Sequence, residues 1–176
     1  MSAPIIIEKY NPEWPEFFIN EKETIEKALG NLIVKIEHIG STSIPGMGGI
    51  PIIDIMIGVI EEADAVECIP LLEKIGYSYD PESDETYPDR KSLDKRSMGI
   101  RIHLYIVDIN SDYWIRHILF REYLRANPDT AREYNLLKLE LIKKYRYDRE
   151  AYSKGKAKFI KKVEDKAKKE RLKYMQ

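Results

Sequence analysis

A single cysteine, Cys68, stands in 176 residues, so no disulfide can close within this chain. Apolar runs are short, and none approaches the roughly 18 residues that a membrane-spanning helix needs. The opening Met1-Ser-Ala-Pro-Ile-Ile-Ile-Glu8 lacks a basic stretch followed by a long apolar one and does not read as a targeting segment. Repeats, low-complexity tracts and an evident linker are also missing. With a lone thiol and no leader pattern, a cytoplasmic location without a membrane partner is expected. What is present suits a globular chain: 43% of residues are hydrophobic and 34% are charged. The length suits one domain with a core over about residues 1–110 and C-terminal helices over about 111–176.

The net charge of −1 is unevenly spread. Residues 143–173 hold 14 Lys and Arg against 5 Asp and Glu, so the remainder is acidic. A basic tail on an acidic body fits a solvated helix, with Glu164, Asp165 and Glu170 among the lysines. It also admits an acidic substrate or nucleic acid. No aromatic residue interleaves Lys161 to Lys173 as a base-stacking platform requires, which makes nucleic acid the weakest of the partner expectations.

Periodicity predicts a helix over 12–29, capped by Asn11, with Trp14, Phe18, Ile25 and Leu29 on one face. Gly30-Asn31 ends it. Strands are predicted over 32–39 and 51–59, with a Gly- and Pro-rich turn between them. A helix over 62–75 follows, kinked or shortened by Pro70 and ended by Gly76. Residues 80–97 are polar and Pro-punctuated, and read as a long mobile loop. A third strand runs from about Gly99 to Val107. Asp112 caps a helix bearing Trp114, Ile118 and Leu124. Asn127-Pro128 stops that helix and starts another through Tyr134, Leu137, Leu141 and Tyr145. A last helix begins near Asp148, carries Tyr152, Phe159, Ile160 and Val163, and frays beyond about Lys166. The expected class is α/β (α+β): a small mixed β-sheet flanked by helices, with a helical C-terminal layer.

Chemistry concentrates in two places. In the second strand Ile53, Ile55, Ile57 and Val59 share one face, while Ile52, Asp54, Met56 and Gly58 share the other. In the third, Ile102, Leu104 and Ile106 oppose Arg101, His103 and Tyr105. If these strands are neighbours, Asp54 and His103 converge. A lone carboxylate amid an apolar run needs a cation or hydrogen-bond donors. His103 is either part of such a site or a half-buried histidine donating to a backbone carbonyl. Upstream, Gly40 permits close backbone approach, and Ser41, Thr42 and Ser43 offer hydroxyls and N–H groups suited to phosphate oxygens. A short helix after Ser41 would add a favourable dipole for an anion.

Taken together, His38-Ile-Gly-Ser-Thr-Ser-Ile-Pro-Gly46 and Pro51-Ile-Ile-Asp54-Ile resemble the signature of the GrpB family, within the nucleotidyltransferase superfamily. The resemblance covers nearly the whole chain. Tyr10-Asn-Pro-Glu-Trp14 is similar to the family's opening helix. Arg101-Ile-His103-Leu-Tyr105 is similar to its Arg…His-Leu-His strand. Phe120-Arg-Glu-Tyr, Tyr134…Lys138 and Tyr152…Lys156…Phe159 are similar to its later helices. The resemblance implies a nucleotidyltransferase-like core in which Gly40 and Ser41 hold a triphosphate and Asp54 is the first of two metal-binding carboxylates. The second falls on Met56, a soft thioether that cannot replace a hard oxygen for Mg²⁺. Further departures are Ile50 for a lysine, Tyr105 for the strand's second histidine, and no acid on the polar face of the third strand; Asp108, at its end, has the apolar parity.

Two functions follow as expectations. One is transfer of a nucleoside monophosphate from a nucleoside triphosphate to a small-molecule acceptor. There Asp54 and His103 would hold Mg²⁺ or Mn²⁺, His103 would alternatively serve as general base, and Arg101 would neutralise developing charge. Gly40, Ser41, Thr42 and Ser43 would hold the phosphates. The other is a catalytically degenerate module that binds a nucleotide or another phosphorylated small molecule, or assists folding, without turnover. Some dephospho-CoA kinases carry a domain resembling this family as a C-terminal accessory. Lys138 and Lys156 either reach the phosphates or only solvate the surface, as does Arg121.

Overall fold

Isoleucine at every second position of the second apolar run decides the architecture. The computed structural model describes residues 2–174. Ile53, Ile55 and Ile57 are fully buried in strand β2 (Ile52–Val59), side by side with Ile102, Leu104 and Ile106 of strand β5 (Ile100–Asp108), which pairs with it in parallel. Helix α1 (Trp14–Leu29) covers this face with Trp14, Ile25 and Leu29, and helix α2 (Glu62–Glu73) with Ala65, Cys68 and Leu72. A β-sheet face this apolar has to be covered, and the two amphipathic helices supply the cover.

The sheet is mixed and five-stranded. Strand β1 (Lys35–Ile39) runs antiparallel to β2, strand β4 (Lys91–Ser97) antiparallel to β5, and strand β3 (Ser78–Tyr79) antiparallel to β4, giving the order β1-β2-β5-β4-β3. A short helix α3 (Glu82–Thr86) joins β3 to β4. The opposite face is only partly covered. There Ile39, Met56 and Val107 pack under Tyr113 and Trp114 of helix α4 (Asp112–Ala126). Helices α5 (Pro128–Tyr145) and α6 (Arg149–Tyr174) join α4 around Ile44, Met47, Leu124, Tyr134 and Val163. No helix among the described residues is long and apolar enough to cross a membrane.

Several boundaries differ from the sequence expectation. Helix α1 starts at Trp14, because Asn11 accepts from the Glu13 N–H at 2.9 Å in a turn before it. The strand expected over 32–39 is shortened by a 3-10 turn at Gly30–Leu32. The cap of α4 is Ser111, whose hydroxyl accepts from the Trp114 N–H at 3.2 Å, rather than Asp112, which pairs with Arg116. Helix α6 runs to Tyr174 without a break near Lys166, and Ala167 is buried. The largest correction concerns residues 80–97. They form α3 and β4 instead of a mobile loop, and β4 is held by its ladder to β5 with Leu93 as its one buried side chain.

Met56 is 0% exposed within the cluster under Tyr113 and Trp114. Met56→Asp therefore places an unpaired carboxylate in hydrocarbon, and urea denaturation is expected to show a loss of about 3 kcal/mol or more. Unchanged stability with tighter Mg²⁺ binding would instead put position 56 in an open site.

Candidate functional site

Two segments distant in sequence meet at Asp54. Leaving β1, the chain turns through Gly40 at φ 75°, a conformation strained for any residue with a Cβ. It then makes one 3-10 turn at Ser41–Ser43 and folds back over β2. A Cβ on Gly40 would collide with Asp54 Oδ2 and stand 3.2 Å from its Cγ. Glycine is thus required there both by φ and by space. The turn is a single 3-10 turn, so the helix dipole expected after Ser41 does not develop.

Side chains lock this turn from beneath and behind. His38, buried, stacks on Phe18 at 4.9 Å between ring centroids and places Nε2 2.9 Å from Thr42 Oγ1. The Thr42 hydroxyl donates to Ile52 O at 3.1 Å, which leaves its oxygen to accept from the His38 ring. Burial, reinforced by Arg125 and Arg121, pushes His38 down to about 3, so the ring is neutral. Ser43 Oγ donates to Gly40 O at 2.6 Å. From α4, Arg125 donates twice to Ser43 O, at 3.1 and 2.9 Å, and Arg121 donates to His38 O at 2.9 Å. Arg121 is no surface residue: it is buried and pairs with Glu37 at 2.6 Å. Thr42 and Ser43, expected at the phosphates, have their hydroxyls engaged inside the turn.

Lys138 closes the turn from α5. Its Nζ donates to Ser41 Oγ at 2.9 Å and to Gly48 O at 2.6 Å. At 2% exposure it is not a surface lysine. Burial, with the Lys156 ammonium adding to it, pushes Lys138 down to about 7. Lys156 on α6 is half-buried, with Nζ 4.4 Å from the centre of the Tyr152 ring. Burial lowers its pKa, and the Asp54 carboxylate opposes that.

The Asp54 carboxylate makes no hydrogen bond among the described residues. His103 Nδ1 lies 3.6 Å from its Oδ1, and 27% of the Asp54 side chain meets solvent. Crowding by protein pushes its pKa up to about 7, and Lys156 pulls it back. Burial, followed by Arg101, pushes His103 down to about 4, with Asp94 opposing. The ring is therefore neutral near pH 7, and the contact with Asp54 is not an ion pair. Parallel pairing of β2 and β5 sets the two directly opposite each other, as strand parity anticipated.

Continuing across the sheet, Asp94 of β4 is the register partner of His103. It went unnoticed in the sequence because residues 80–97 read as loop; the alternation Ser92-Leu93-Asp94 was the signal available. Arg101 lies on the same face, opposite Arg96. With Asp80, Arg90, Asp94, His103 and Tyr105 it lines a concavity of about 240 Å³. Among the described residues no group of three or more His, Cys, Asp or Glu side chains could hold a metal ion. Asp54 and His103 are a partial set. They fit Mg²⁺ or Mn²⁺ only where phosphate and water oxygens complete the octahedron. A carboxylate without a donor is the group such a cation would satisfy.

The comparisons with known proteins agree with one another. A family model described as "GrpB protein" matches residues 4–166. The chain is 33% identical over 165 residues to the glutamate-rich protein GrpB of Alkalihalophilus pseudofirmus, across 89% of this chain and 91% of that one. It is 35% identical over 161 residues to the UPF0157 protein YqkA of Bacillus subtilis, across 90% of this chain but 46% of that longer protein. The crystal structure of the conserved protein GrpB from Enterococcus faecalis superposes with a TM-score of 0.84 at 34% identity, covering 95% of this chain and 99% of that one. The Cid1 poly(U) polymerase matches with a TM-score of 0.55 at 13% identity, over 85% of this chain and 49% of its own, which shows a nucleotidyltransferase-like fold.

Burial raises the folded-state pKa of Asp54 above its unfolded value of about 4. The folded chain then holds the proton longer than the unfolded one, so stability is lost as pH rises from about 4 to about 7 and is level above that. Asp54→Asn removes the ionisation. It is expected to unfold like wild type at pH 4 and to be more stable at pH 8 by roughly 1–4 kcal/mol. An equal difference at both pH values would contradict this origin.

Proposed function

The chain belongs to the GrpB family, and we propose that its core binds a nucleoside triphosphate with Mg²⁺ or Mn²⁺ and transfers the nucleoside monophosphate to a small-molecule acceptor. The observation that carries the reading is the bare carboxylate of Asp54 pressed against the Gly40 backbone, with the ammonium groups of Lys138 and Lys156 on the adjoining helices. A polyphosphate laid over the turn would meet Ser41, which the buried Lys138 ammonium backs from the core, and Lys156. A cation on its oxygens, held by Asp54, would neutralise the remaining charge; His103 either joins that cation or, left free of it, serves as the base. In the transfer the acceptor oxygen attacks the α-phosphorus, the bond to pyrophosphate breaks, and the acceptor proton passes to the neutral His103 ring. A cytoplasmic setting belongs to the same proposal.

Met56 favours a second reading. Its burial leaves one carboxylate where a two-metal reaction uses a pair, so the site would bind a nucleotide or phosphate ligand, or support folding, without turnover.

Calorimetry with a panel of nucleoside triphosphates, with and without Mg²⁺ or Mn²⁺, tests the shared premise. Metal-dependent binding is expected in wild type, weakened at least about tenfold in Asp54→Ala. Equal binding by both proteins would remove Asp54 from the site. Pyrophosphate release in the presence of acceptor candidates supports transfer, and tight binding without release supports the silent module.

A further inference from the structure

The concavity beyond His103 has a composition that the nucleotide reading leaves unused. Sheet order places the Gly40 turn, with Lys138 against Ser41, on the β1 side of Asp54, and the concavity on the β4 side of His103. Of its charged groups, Asp80 accepts from the Ser83 N–H at 3.3 Å, Arg90 lies among the rings of Tyr87, Tyr105 and Tyr113, and the other two are open to a ligand. The Arg101 and Asp94 side chains make no ion pair or hydrogen bond among the described residues. The Arg90 guanidinium lies 3.9 Å from the Tyr87 ring centre and 5.2 Å from that of Tyr105, while its buried Nε has no hydrogen-bond partner. About 240 Å³ is below the ~300–1,000 Å³ of drug-sized pockets and suits a molecule of a few carbons.

From this we infer that the Arg90–Asp94–Arg101 concavity is the acceptor subsite, and that the acceptor is a small hydroxylated phosphate monoester. The inference rests on the nucleotide reading for the word acceptor. The lining pairs two guanidinium groups with two carboxylates, Asp80 and Asp94; a phosphate monoester can engage both guanidinium groups through separate oxygens while its hydroxyls meet the carboxylates, which a small carboxylate ligand cannot do as fully. Asp94 accepts from a hydroxyl of the same molecule, beside the ring that receives the proton. Attack on a phosphorus from the face opposite the leaving group needs donor and acceptor on opposite sides of the reacting centre, and the sheet sets them there.

Calorimetry with three probes, glycerol 3-phosphate, glycerate and inorganic phosphate, tests the site on the full chain. Wild type is expected to bind glycerol 3-phosphate most tightly. Arg90→Gln should weaken that binding about tenfold or more. Asp94→Asn, on the open face of β4, should narrow the margin over inorganic phosphate, and thermal melts establish that both variants fold. Asp54→Asn should keep glycerol 3-phosphate binding while losing metal-dependent nucleotide binding, and Arg90→Gln should do the reverse, so failure of either reading is visible separately. No binding by wild type, tighter binding of glycerate, or wild-type binding in both Arg90→Gln and Asp94→Asn would overturn the inference.

Discussion

The backbone of Gly40 has to stay in contact with the carboxylate of Asp54, and much of the structure around that point exists to keep it there. An acidic side chain in the middle of a buried strand is costly, and a turn laid against it would drift away unless tied. Three layers of ties are present. Within the turn, Thr42 and Ser43 bond to Ile52 and Gly40 carbonyls. From α1, Phe18 stacks on the His38 ring that holds Thr42. From the C-terminal helices, Arg121, Arg125 and Lys138 reach carbonyls at His38, Ser43 and Gly48. The helical layer is therefore part of the site's frame as well as its cover.

Electrostatics gives this frame a direction. Burial moves Asp54 up and Lys138 down towards the same region near pH 7, so each sits close to losing its charge without a ligand. A polyphosphate favours the protonated lysine, and a cation favours the ionised carboxylate. In the proposed complex, ligand and metal together would restore both charges, whereas either one alone would leave a partner unsatisfied. Coupling of this kind suits a site that takes a metal–nucleotide complex in preference to its parts.

Much of the fold was legible in the sequence because strand parity is a strict constraint. Alternation in Ile52–Val59 and Ile100–Asp108 separates the core face from the chemical face, and brings Asp54 beside His103 once the two strands pair, as they do. Resemblance supplied the turn. What stayed hidden depended on long-range partners. Strand β4 has polar residues at nearly every position, so only its ladder to β5 makes it a strand, and Asp94 and Arg90 went unseen with it. Lys138 looked like one more lysine on a basic helix. Nothing local in the sequence announces that its ammonium enters the core, since that follows from how α5 docks on the turn. The hydroxyls of Thr42 and Ser43, expected at the phosphates, hold the turn from inside, a role that depends on partners at His38, Ile52 and Gly40.

The state of the Asp54 carboxyl is the most direct gauge of the whole account. Following its side-chain carboxyl carbon by NMR across a pH titration should give a midpoint near 7 in the free protein, moving down by at least about one pH unit when Mg²⁺ and a nucleoside triphosphate are added together. A midpoint near the ordinary aspartate value, unmoved by metal and nucleotide, would contradict it.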